Sequence, residues 1–218
     1  MARLIRSTEQ FDLSLYVITE PLPDRAAVEI ATAAFAGGAG AVQFRRKDAT
    51  ARELFVTAQQ LAALARAQGK VLIINDRVDL ALAVRADGVH LGPDDLPVSA
   101  ARRLLGPTAI IGASAGTVDE AIEAEAEGAS YLGVGCIYGT ASKADAGDPV
   151  GPKRIAEIRA AVRIPLVAIG GVTPERVPEV IAAGADGVAV ITAVTRAKNM
   201  RAAARDLVRA VRAARDRR

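Results

Sequence analysis

The apolar positions of the chain fall into short runs that are separated by longer segments with helical spacing. In segment 51–68, Leu54, Ala58 and Leu61 recur every three or four residues, which is typical of one face of an α-helix. The short runs are rich in β-branched residues and have no polar face, as strands buried on both sides of a parallel sheet do. Eight runs predict strands: Leu13–Ile18, Ala41–Phe44, Val71–Ile74, Gly88–Leu91, Ala109–Gly112, Tyr131–Val134, Leu166–Ile169 and Gly187–Val190.

A small-residue turn precedes every second predicted strand. These turns, at 38–40, 86–87, 128–130 and 184–186, combine Gly or Ala with another small or acidic residue. Strands that alternate with helices predict a parallel sheet, and four repeats of a two-strand unit favour a closed barrel over an open sheet. We therefore expect a single (β/α)8 TIM barrel over residues 1–218, without a second domain.

Composition narrows the class of protein. Of the 218 residues, 51% are hydrophobic but only 3% are aromatic, so the core must be built from Ala, Val, Leu and Ile. No apolar run is as long as a membrane span, and the first ten residues lack an apolar signal segment. The single cysteine, Cys136, excludes an internal disulfide and suits a reducing compartment. We expect a cytoplasmic protein without a membrane partner, and its composition is compatible with a homo-oligomer.

The net charge is only +3, and its basic excess lies near the C-terminus. Leu207, Val208 and Val211 have the spacing of an amphipathic helix, whose basic face would be solvated rather than bound to nucleic acid. The arginines concerned are Arg201, Arg205, Arg209, Arg212, Arg215, Arg217 and Arg218.

The stretch from Ile164 to Ala193 predicts a strand–helix–strand unit, with the helix beginning at Pro174 behind a Thr173 cap. The two strands end in Gly170-Gly171 and in Ile191-Thr192, which should face the same rim of the barrel. Backbone amides at this rim commonly bind phosphate in such barrels. A tight turn without a ligand is the alternative.

Charged side chains follow the second predicted strand. Gln43, Arg45 and Lys47 are spaced two apart, so strand geometry places them on one face. Two cations beside an amide suit an anion such as diphosphate, which an Arg side chain can bind with two hydrogen bonds. The alternative is a solvated run of charge.

Acidic residues follow the third and fourth predicted strands. Asn75-Asp76 and Asp95 should converge, because these strands are neighbours in a barrel. Two carboxylates near a polyphosphate predict one Mg²⁺ site, since that ion takes few protein ligands. Asp95 as the cap of a helix from Val98 is the alternative. We expect His90 to serve packing or hydrogen bonding.

Hydroxyl groups follow the fifth and sixth strands. Ser114 has no nucleophile elbow or second histidine around it, so we expect it to bind substrate rather than to attack it. The long irregular stretch 135–151 contains Thr140, Ser142 and Lys143. Glycine-rich and poor in apolar residues, it should be mobile when empty and close over phosphate groups; a merely polar loop is the alternative.

Taken together, these motifs resemble the thiamine phosphate synthase family, whose members join a pyrimidine diphosphate to a thiazole phosphate on a (β/α)8 barrel. The resemblance covers about Leu15 to Ala193. Its motifs are Q-x-R-x-K at Gln43–Lys47, Asn75-Asp76, H-x-G-x-x-D at His90–Asp95, T-x-[ST]-K at Thr140–Lys143 and A-I-G-G-[IV] at Ala168–Val172.

The resemblance implies a role for each matched residue. Asp76 and Asp95 would bind Mg²⁺, and Arg45, Lys47 and Lys143 would act on the diphosphate. The pyrimidine diphosphate would contact Gln43, Phe44, Arg45, Arg46, Lys47, Asn75, Ser114 and Lys143. The thiazole phosphate would contact Thr140, Ala141, Ser142, Gly171, Ile191 and Thr192. Both substrates would be small molecules, and no nucleic acid would take part.

The chain departs from the family pattern at Pro93, Gly116 and Cys136, where Gln, His and Pro are usual. None of these removes a predicted metal ligand or diphosphate cation. The implied reaction makes thiamine phosphate and diphosphate by a dissociative, Mg²⁺-assisted substitution, and the thiazole could also enter as its carboxylated tautomer. The alternatives are a thiazole tautomerase, which would lack its histidine at Gly116, and a non-catalytic phosphate-binding barrel.

Overall fold

Eight short parallel strands form a closed barrel in which each strand pairs with its neighbours in sequence and the first pairs with the last. This computed structural model describes residues 11–140 and 148–217. The strands are β1 (Leu15–Ile18), β2 (Ala41–Phe44), β3 (Val71–Asn75), β4 (Gly88–Leu91), β5 (Ile110–Ala115), β6 (Tyr131–Val134), β7 (Leu166–Ile169) and β8 (Gly187–Val190). The predicted (β/α)8 barrel is confirmed.

Helices follow the strands and surround the barrel. Within the described residues they are α1 (Ala27–Ala36), α2 (Ala51–Gln68), α3 (Val78–Val84), α4 (Val98–Leu105), α5 (Val118–Ala126), α6 (Lys153–Ala161), α7 (Val177–Ala182), α8 (Thr192–Thr195) and α9 (Met200–Arg215). None of these helices has both the length and the apolar character that crossing a bilayer requires.

Local sequence explains where the longest helix begins and ends. The Thr50 hydroxyl accepts a hydrogen bond from the Glu53 backbone N–H, and the Glu53 carboxylate accepts one from the Thr50 N–H. Gly69 ends the helix with a φ of 65°, a left-handed conformation that glycine adopts without strain. The predicted helix 51–68 is confirmed at both ends.

The helix between the last two strands begins later than its sequence predicts. Pro174, Glu175 and Arg176 form a turn, and α7 starts at Val177 rather than at Pro174. A helix begun at Pro174 would place Pro178 where a backbone N–H must donate to the Pro174 carbonyl. Proline has no such donor, which accounts for the later start.

Strand alternation divides the core into two regions. Along β1, Leu15 and Val17 pack outward against the helices, whereas Tyr16 and Ile18 fill the barrel interior. The same alternation along the other strands leaves small residues on the inner face beside the large ones. The interior therefore contains two tyrosines, Tyr16 and Tyr131, in a chain with few aromatic residues.

The last helix closes the outer layer. Its buried face consists of Ala204, Leu207, Val208, Val211 and Ala214, so the predicted amphipathic helix is confirmed. It packs against both α1 and α7, which lie on either side of the point where β1 meets β8. The C-terminal helix thus covers the closure of the barrel.

A polar clasp joins the loop after β1 to the C-terminal end of α8. The Glu20 carboxylate accepts hydrogen bonds from Arg196 at 2.9 and 3.1 Å and from the Thr195 hydroxyl at 2.5 Å. Arg25 adds bonds to the Thr195 and Ala197 carbonyls. Burial alone would raise the pKa of Glu20, but the hydrogen bonds from Arg196 and Thr195 outweigh it and lower that pKa.

Candidate functional site

A cavity of about 390 Å³ opens at the carboxyl ends of the barrel strands. Residues on or directly after every one of the eight strands line it, from Tyr16 and Ile18 at β1 to Ile191 and Thr192 after β8. In barrels of this architecture, active sites lie at this end. The cavity has three parts with different chemistry: a charged side, a polar floor and a glycine-rich side.

The charged side begins with the residues at the end of β2. Gln43, Arg45 and Lys47 all line the cavity, as their two-residue spacing predicts. The intervening Phe44 is buried in the outer core, and Arg46 forms an exposed ion pair with Asp48. Neither Phe44 nor Arg46 lines the cavity, because strand alternation turns them away from it.

Two carboxylates, Asp76 and Asp95, complete the charged side, where Asn75 and Asp94 also line the cavity. Asp76 adopts a φ of 63°, which is uncommon for a residue other than glycine. Its carboxylate lies 3.8 Å from Lys47 Nζ. The predicted convergence of the residues after β3 and β4 is thus observed.

The electrostatics of this pair suit a cation. Burial, together with the hydrogen bond and charge of neighbouring Asp95, raises the pKa of Asp76 to about 6, although Lys47 and Arg45 oppose the shift. Asp95 does not cap α4, whose N-cap is Pro97; instead its carboxylate accepts from the Gly92 N–H at 2.7 Å. Two adjacent carboxylates of this kind fit Mg²⁺, which needs few protein ligands.

The two carboxylates would supply only part of the ligands that a metal ion needs. Among residues 11–140 and 148–217, no group of three or more His, Cys, Asp or Glu side chains could hold a metal ion. Any ion here would therefore complete its shell with water and with oxygen atoms of a bound anion, as Mg²⁺ does at phosphate sites.

The floor of the cavity is a hydrogen-bonded row of five side chains that crosses the barrel. Gln43 Nε2 lies 2.8 Å from Tyr16 Oη, which lies 2.9 Å from Tyr131 Oη. Tyr131 Oη lies 3.0 Å from His90 Nδ1, and His90 Nε2 lies 3.1 Å from Ser114 Oγ. The five side chains come from five different strands, and all line the cavity. We call them the floor relay.

Sequence reasoning identified only part of this floor. Gln43 and Ser114 were expected in the site, and His90 was expected to serve hydrogen bonding. Tyr16 and Tyr131 were not identified, since each reads as one more apolar position of a buried strand. Their inward positions in the strand alternation were the available signal.

The glycine-rich side lies opposite, after β7 and β8. Gly170 and Gly171 have φ values of 97° and 66°, and both line the cavity with Ile191, Thr192 and Thr140. A Cβ atom on Gly171 would lie 2.5 Å from the Gly139 carbonyl oxygen, so only glycine fits against the neighbouring loop. Arg176 fastens this turn by donating to the Gly171 carbonyl at 2.7 Å.

Part of the predicted site lies outside the described residues. Ala141, Ser142 and Lys143, together with the expected mobility of the loop that carries them, belong to residues 141–147. Their proposed roles stay sequence-based predictions. The described ends of this loop are anchored: the Ile137 N–H donates to the Ile169 carbonyl, and the Gly151 N–H donates to the Ile137 carbonyl.

The three departures from the family pattern, Pro93, Gly116 and Cys136, all line the cavity. Gly116 donates its N–H to the Glu120 carboxylate at 2.6 Å. A Cβ atom at Gly116 would meet Glu120 at 3.5 Å, an ordinary contact, so a side chain would find room at this position. Sequence reasoning did not place Glu120 in the site, although it too lines the cavity.

This arrangement can hold two anions at once. Arg45 and Lys47 attract an anion on one side, where a divalent cation would bridge it to the carboxylates, and the glycine turn faces the other side. The chain has one cysteine, Cys136, and one histidine, His90, and the position of neither residue indicates a nucleophile. Cys136 lines the cavity but is almost fully buried, and both His90 ring nitrogens are engaged in the floor relay.

Comparison with known proteins assigns this cavity to a family. A profile described as thiamine monophosphate synthase matches residues 15–194. The thiamine-phosphate synthase of Moorella thermoacetica is 52% identical over 206 residues, covering 94% of this chain and 98% of that protein. That of Methanospirillum hungatei is 50% identical over 196 residues, covering 89% of this chain and 95% of the other.

A solved structure shares the architecture as well. The thiamine phosphate pyrophosphorylase from Pyrococcus furiosus is 41% identical, with a TM-score of 0.85 over 93% of this chain and 96% of that chain. The profile match at 15–194 contains every residue that lines the cavity, from Tyr16 to Ala193. The similarity therefore extends over the whole candidate site.

Proposed function

Because the chain belongs to the thiamine monophosphate synthase family, we propose that its cavity joins a pyrimidine diphosphate to a thiazole phosphate. The protein is a transferase of thiamine biosynthesis. The products are thiamine phosphate and diphosphate. The observation that carries the proposal is a single cavity with cations and paired carboxylates on one side and a paired-glycine turn on the other.

The pyrimidine diphosphate occupies the charged side and the floor. Arg45 and Lys47 bind its diphosphate, and Lys143 adds a third cation from the loop after β6. Asn75 and Gln43 contribute polar contacts, and Ser114 on the floor contacts the pyrimidine ring. Phe44 and Arg46 contribute no side-chain contact in this proposal, since neither lines the cavity.

Asp76 and Asp95 hold one Mg²⁺ ion beside the diphosphate. When bound, the ion neutralises charge on the leaving group. The support for this assignment is electrostatic. Burial and the neighbouring Asp95 raise the pKa of Asp76 to about 6, so the ionised carboxylate is destabilised, and a bound cation would stabilise it.

The thiazole phosphate occupies the glycine-rich side. Gly171, Ile191 and Thr192 surround its phosphate with backbone groups, and Thr140, Ala141 and Ser142 complete the binding from the loop after β6. Two anions then lie at opposite sides of the cavity, so the reacting carbon and nitrogen are held between them. Such positioning supplies much of the rate in reactions that join two molecules.

The substitution needs no protein nucleophile. The bond between the pyrimidine methylene carbon and the diphosphate oxygen breaks, and its electron pair leaves with the diphosphate. The amino-substituted ring stabilises the resulting cation, and the lone pair of the thiazole nitrogen then forms the new carbon–nitrogen bond. With the carboxylated thiazole, the bond to the carboxylate carbon then breaks, carbon dioxide leaves, and the electron pair left on the ring system takes up a proton from water. Arg45, Lys47 and Lys143 stabilise the departing charge, and closure of the cavity keeps water from the cation.

The related candidate function is isomerisation of the thiazole carboxylate. It would need a side chain that transfers a proton, and the position proposed for that histidine is Gly116 in this chain. The paired carboxylates beside Lys47 would have no task in that reaction. We therefore favour the synthase over the tautomerase, and over a barrel that only binds phosphate.

A product assay distinguishes these functions. The protein is incubated with Mg²⁺ and the carboxylated thiazole phosphate, first alone and then with the pyrimidine diphosphate. We expect no isomer in the first reaction and thiamine phosphate in the second. Isomer formation without thiamine phosphate would establish the tautomerase, and binding without any product would establish the non-catalytic barrel.

A further inference from the structure

The floor relay has a defined direction of hydrogen bonding. The Gln43 amide nitrogen can only donate, so Tyr16 Oη accepts from it. The only other hydrogen-bond partner of Tyr16 within the described residues is Tyr131 Oη. Tyr131 Oη must therefore accept a hydrogen bond from the Tyr16 hydroxyl. The Tyr131 hydroxyl must in turn donate its own proton to a different acceptor. Its remaining hydrogen-bond partner within the described residues is His90 Nδ1.

Both tyrosines keep the protons that this direction requires. Burial raises the pKa of the Tyr16 hydroxyl far above its ordinary value of 10, more than its two hydrogen bonds lower it. Burial, followed by the proximity of Tyr16, does the same for Tyr131. Because both hydroxyl groups are buried, water does not compete for their hydrogen bonds.

The direction continues through the histidine to the serine. If Nδ1 of His90 accepts from Tyr131, the ring carries its proton on Nε2, which faces Ser114 Oγ at 3.1 Å. Ser114 Oγ then accepts a hydrogen bond from the His90 Nε2–H group. Its own hydroxyl proton must point elsewhere, and Ser114 lines the cavity.

We propose that the floor relay fixes Ser114 as a hydrogen-bond donor towards the cavity. A fixed donor recognises an acceptor such as a pyrimidine ring nitrogen and disfavours the exocyclic amino group, which is itself a donor. Tyr16, Tyr131 and His90 are thus positioning residues that determine how the pyrimidine lies on the floor. The proposal rests on the proposed function, in which Ser114 contacts the pyrimidine.

Two glycines make room for the relay. A Cβ atom on Gly112 would lie 2.2 Å from Tyr131 Cζ and 2.5 Å from His90 Nδ1. A Cβ atom on Gly133 would lie 3.1 Å from His90 Cε1. The inner faces of β5 and β6 therefore lack side chains where the tyrosine and histidine rings lie. This space brings the polar atoms of both rings within hydrogen-bonding distance.

The histidine tautomer can be measured directly. His90 is the only histidine of the chain, so ¹⁵N labelling of histidine gives one pair of ring nitrogen signals without assignment. In the metal-free protein we expect Nε2 to carry the proton and Nδ1 to show the shift of a hydrogen-bond acceptor. In Tyr131→Phe the Nδ1 shift should move towards that of an unbonded nitrogen. A proton on Nδ1 in the wild-type protein would overturn the proposal.

Steady-state kinetics test the consequence for the substrate. Tyr131→Phe should raise the KM for the pyrimidine diphosphate by about tenfold, the effect of one misdirected buried hydrogen bond, and leave the KM for the thiazole phosphate unchanged. The matched control is Tyr138→Phe, whose hydroxyl donates to Glu179 away from the cavity, and it should change neither KM.

A double-mutant cycle separates positioning from packing. If Tyr131 acts through Ser114, Tyr131→Phe should raise the pyrimidine KM in the wild-type background but not in Ser114→Ala. An equal increase in both backgrounds would contradict the relay. Absence of thiamine phosphate from the wild-type reaction would instead refute the proposed function, and the histidine spectrum would still decide the direction of the relay.

Discussion

At the scale of single residues, the charged side of the cavity has one property that the sequence did not indicate. The sequence predicted that Asp76 and Asp95 converge, but it gave no sign that the pKa of Asp76 rises to about 6. That shift depends on burial and on the contact with Asp95, which only the folded chain creates. In the absence of a metal, ionised Asp76 opposes folding.

The first prediction concerns the metal. Asp76→Asn keeps the size of the side chain and suits the left-handed backbone, which Asn tolerates. We expect Mg²⁺-dependent turnover to fall by more than about tenfold, since a metal ligand is lost. Asp206→Asn, which removes an exposed carboxylate on α9, is the control and should keep full activity. Wild-type turnover of Asp76→Asn, or of the wild-type protein in excess chelator, would contradict the assignment.

A second prediction follows from the pKa of Asp76. Because its pKa in the folded, metal-free protein exceeds the ordinary value of 3.8, the protonated form stabilises the fold at low pH. That contribution is lost as the pH rises through about 6. Without metal, Asp76→Asn should therefore have a higher Tm than the wild-type protein at pH 8, and the difference should shrink by pH 5.

Thermal melts with and without Mg²⁺ check this result. Mg²⁺ should raise the Tm of the wild-type protein at pH 8 but not that of Asp76→Asn, because binding to the folded state alone stabilises it. A lower Tm for metal-free Asp76→Asn at pH 8 would mean that the carboxylate stabilises the fold.

At the scale of elements, strand alternation explains which sequence predictions hold. Gln43, Arg45 and Lys47 line the cavity because they share the inner face, and Phe44 lies in the outer core for the same reason. The start of α7 could have been corrected from the sequence, since Pro178 cannot donate to Pro174. The role of the tyrosines could not, because Tyr16 and Tyr131 are 115 residues apart and meet only across the closed barrel.

The third prediction concerns the clasp between the loop after β1 and the C-terminal end of α8. Glu20→Gln removes the charge that Arg196 and Thr195 bind on a side chain that is only 10% exposed. We expect the Tm to fall by about 2–4 °C at pH 7, as the loss of about 1 kcal/mol would cause in a domain of this size. The control is Asp206→Asn, which removes an exposed ion-pair partner of Arg205 and should leave the Tm unchanged.

The pH dependence of the clasp has a definite sign. The pKa of Glu20 is lowered in the folded protein, so its contribution is present above the ordinary value of 4.5 and is lost as the pH falls below it. The Tm difference between the wild-type protein and Glu20→Gln should therefore be constant from pH 6 to 8 and shrink as the pH falls below 4.5. A difference that does not shrink as the pH falls below 4.5 would mean that the variant acts through packing.

At the scale of the whole molecule, closure of the barrel is what assembles the site. Periodicity and the repeated turns were enough to predict eight strands and the helices between them, because each depends on local spacing. The two-sided cavity followed from the rule that all strand ends share one rim. Distances and charge states across the barrel could not be read from the sequence, since they depend on side chains from five different strands.

The central claim is that this cavity breaks the bond to diphosphate before the new bond forms. We would label the bridging oxygen of the pyrimidine diphosphate with ¹⁸O and incubate it with the protein, Mg²⁺ and a thiazole phosphate analogue that lacks the ring nitrogen. Departure of the diphosphate lets its oxygens rotate before return. The account predicts that the label moves into the non-bridging positions of the recovered substrate. Label that stays in the bridge, while the true thiazole is converted to thiamine phosphate, would contradict it.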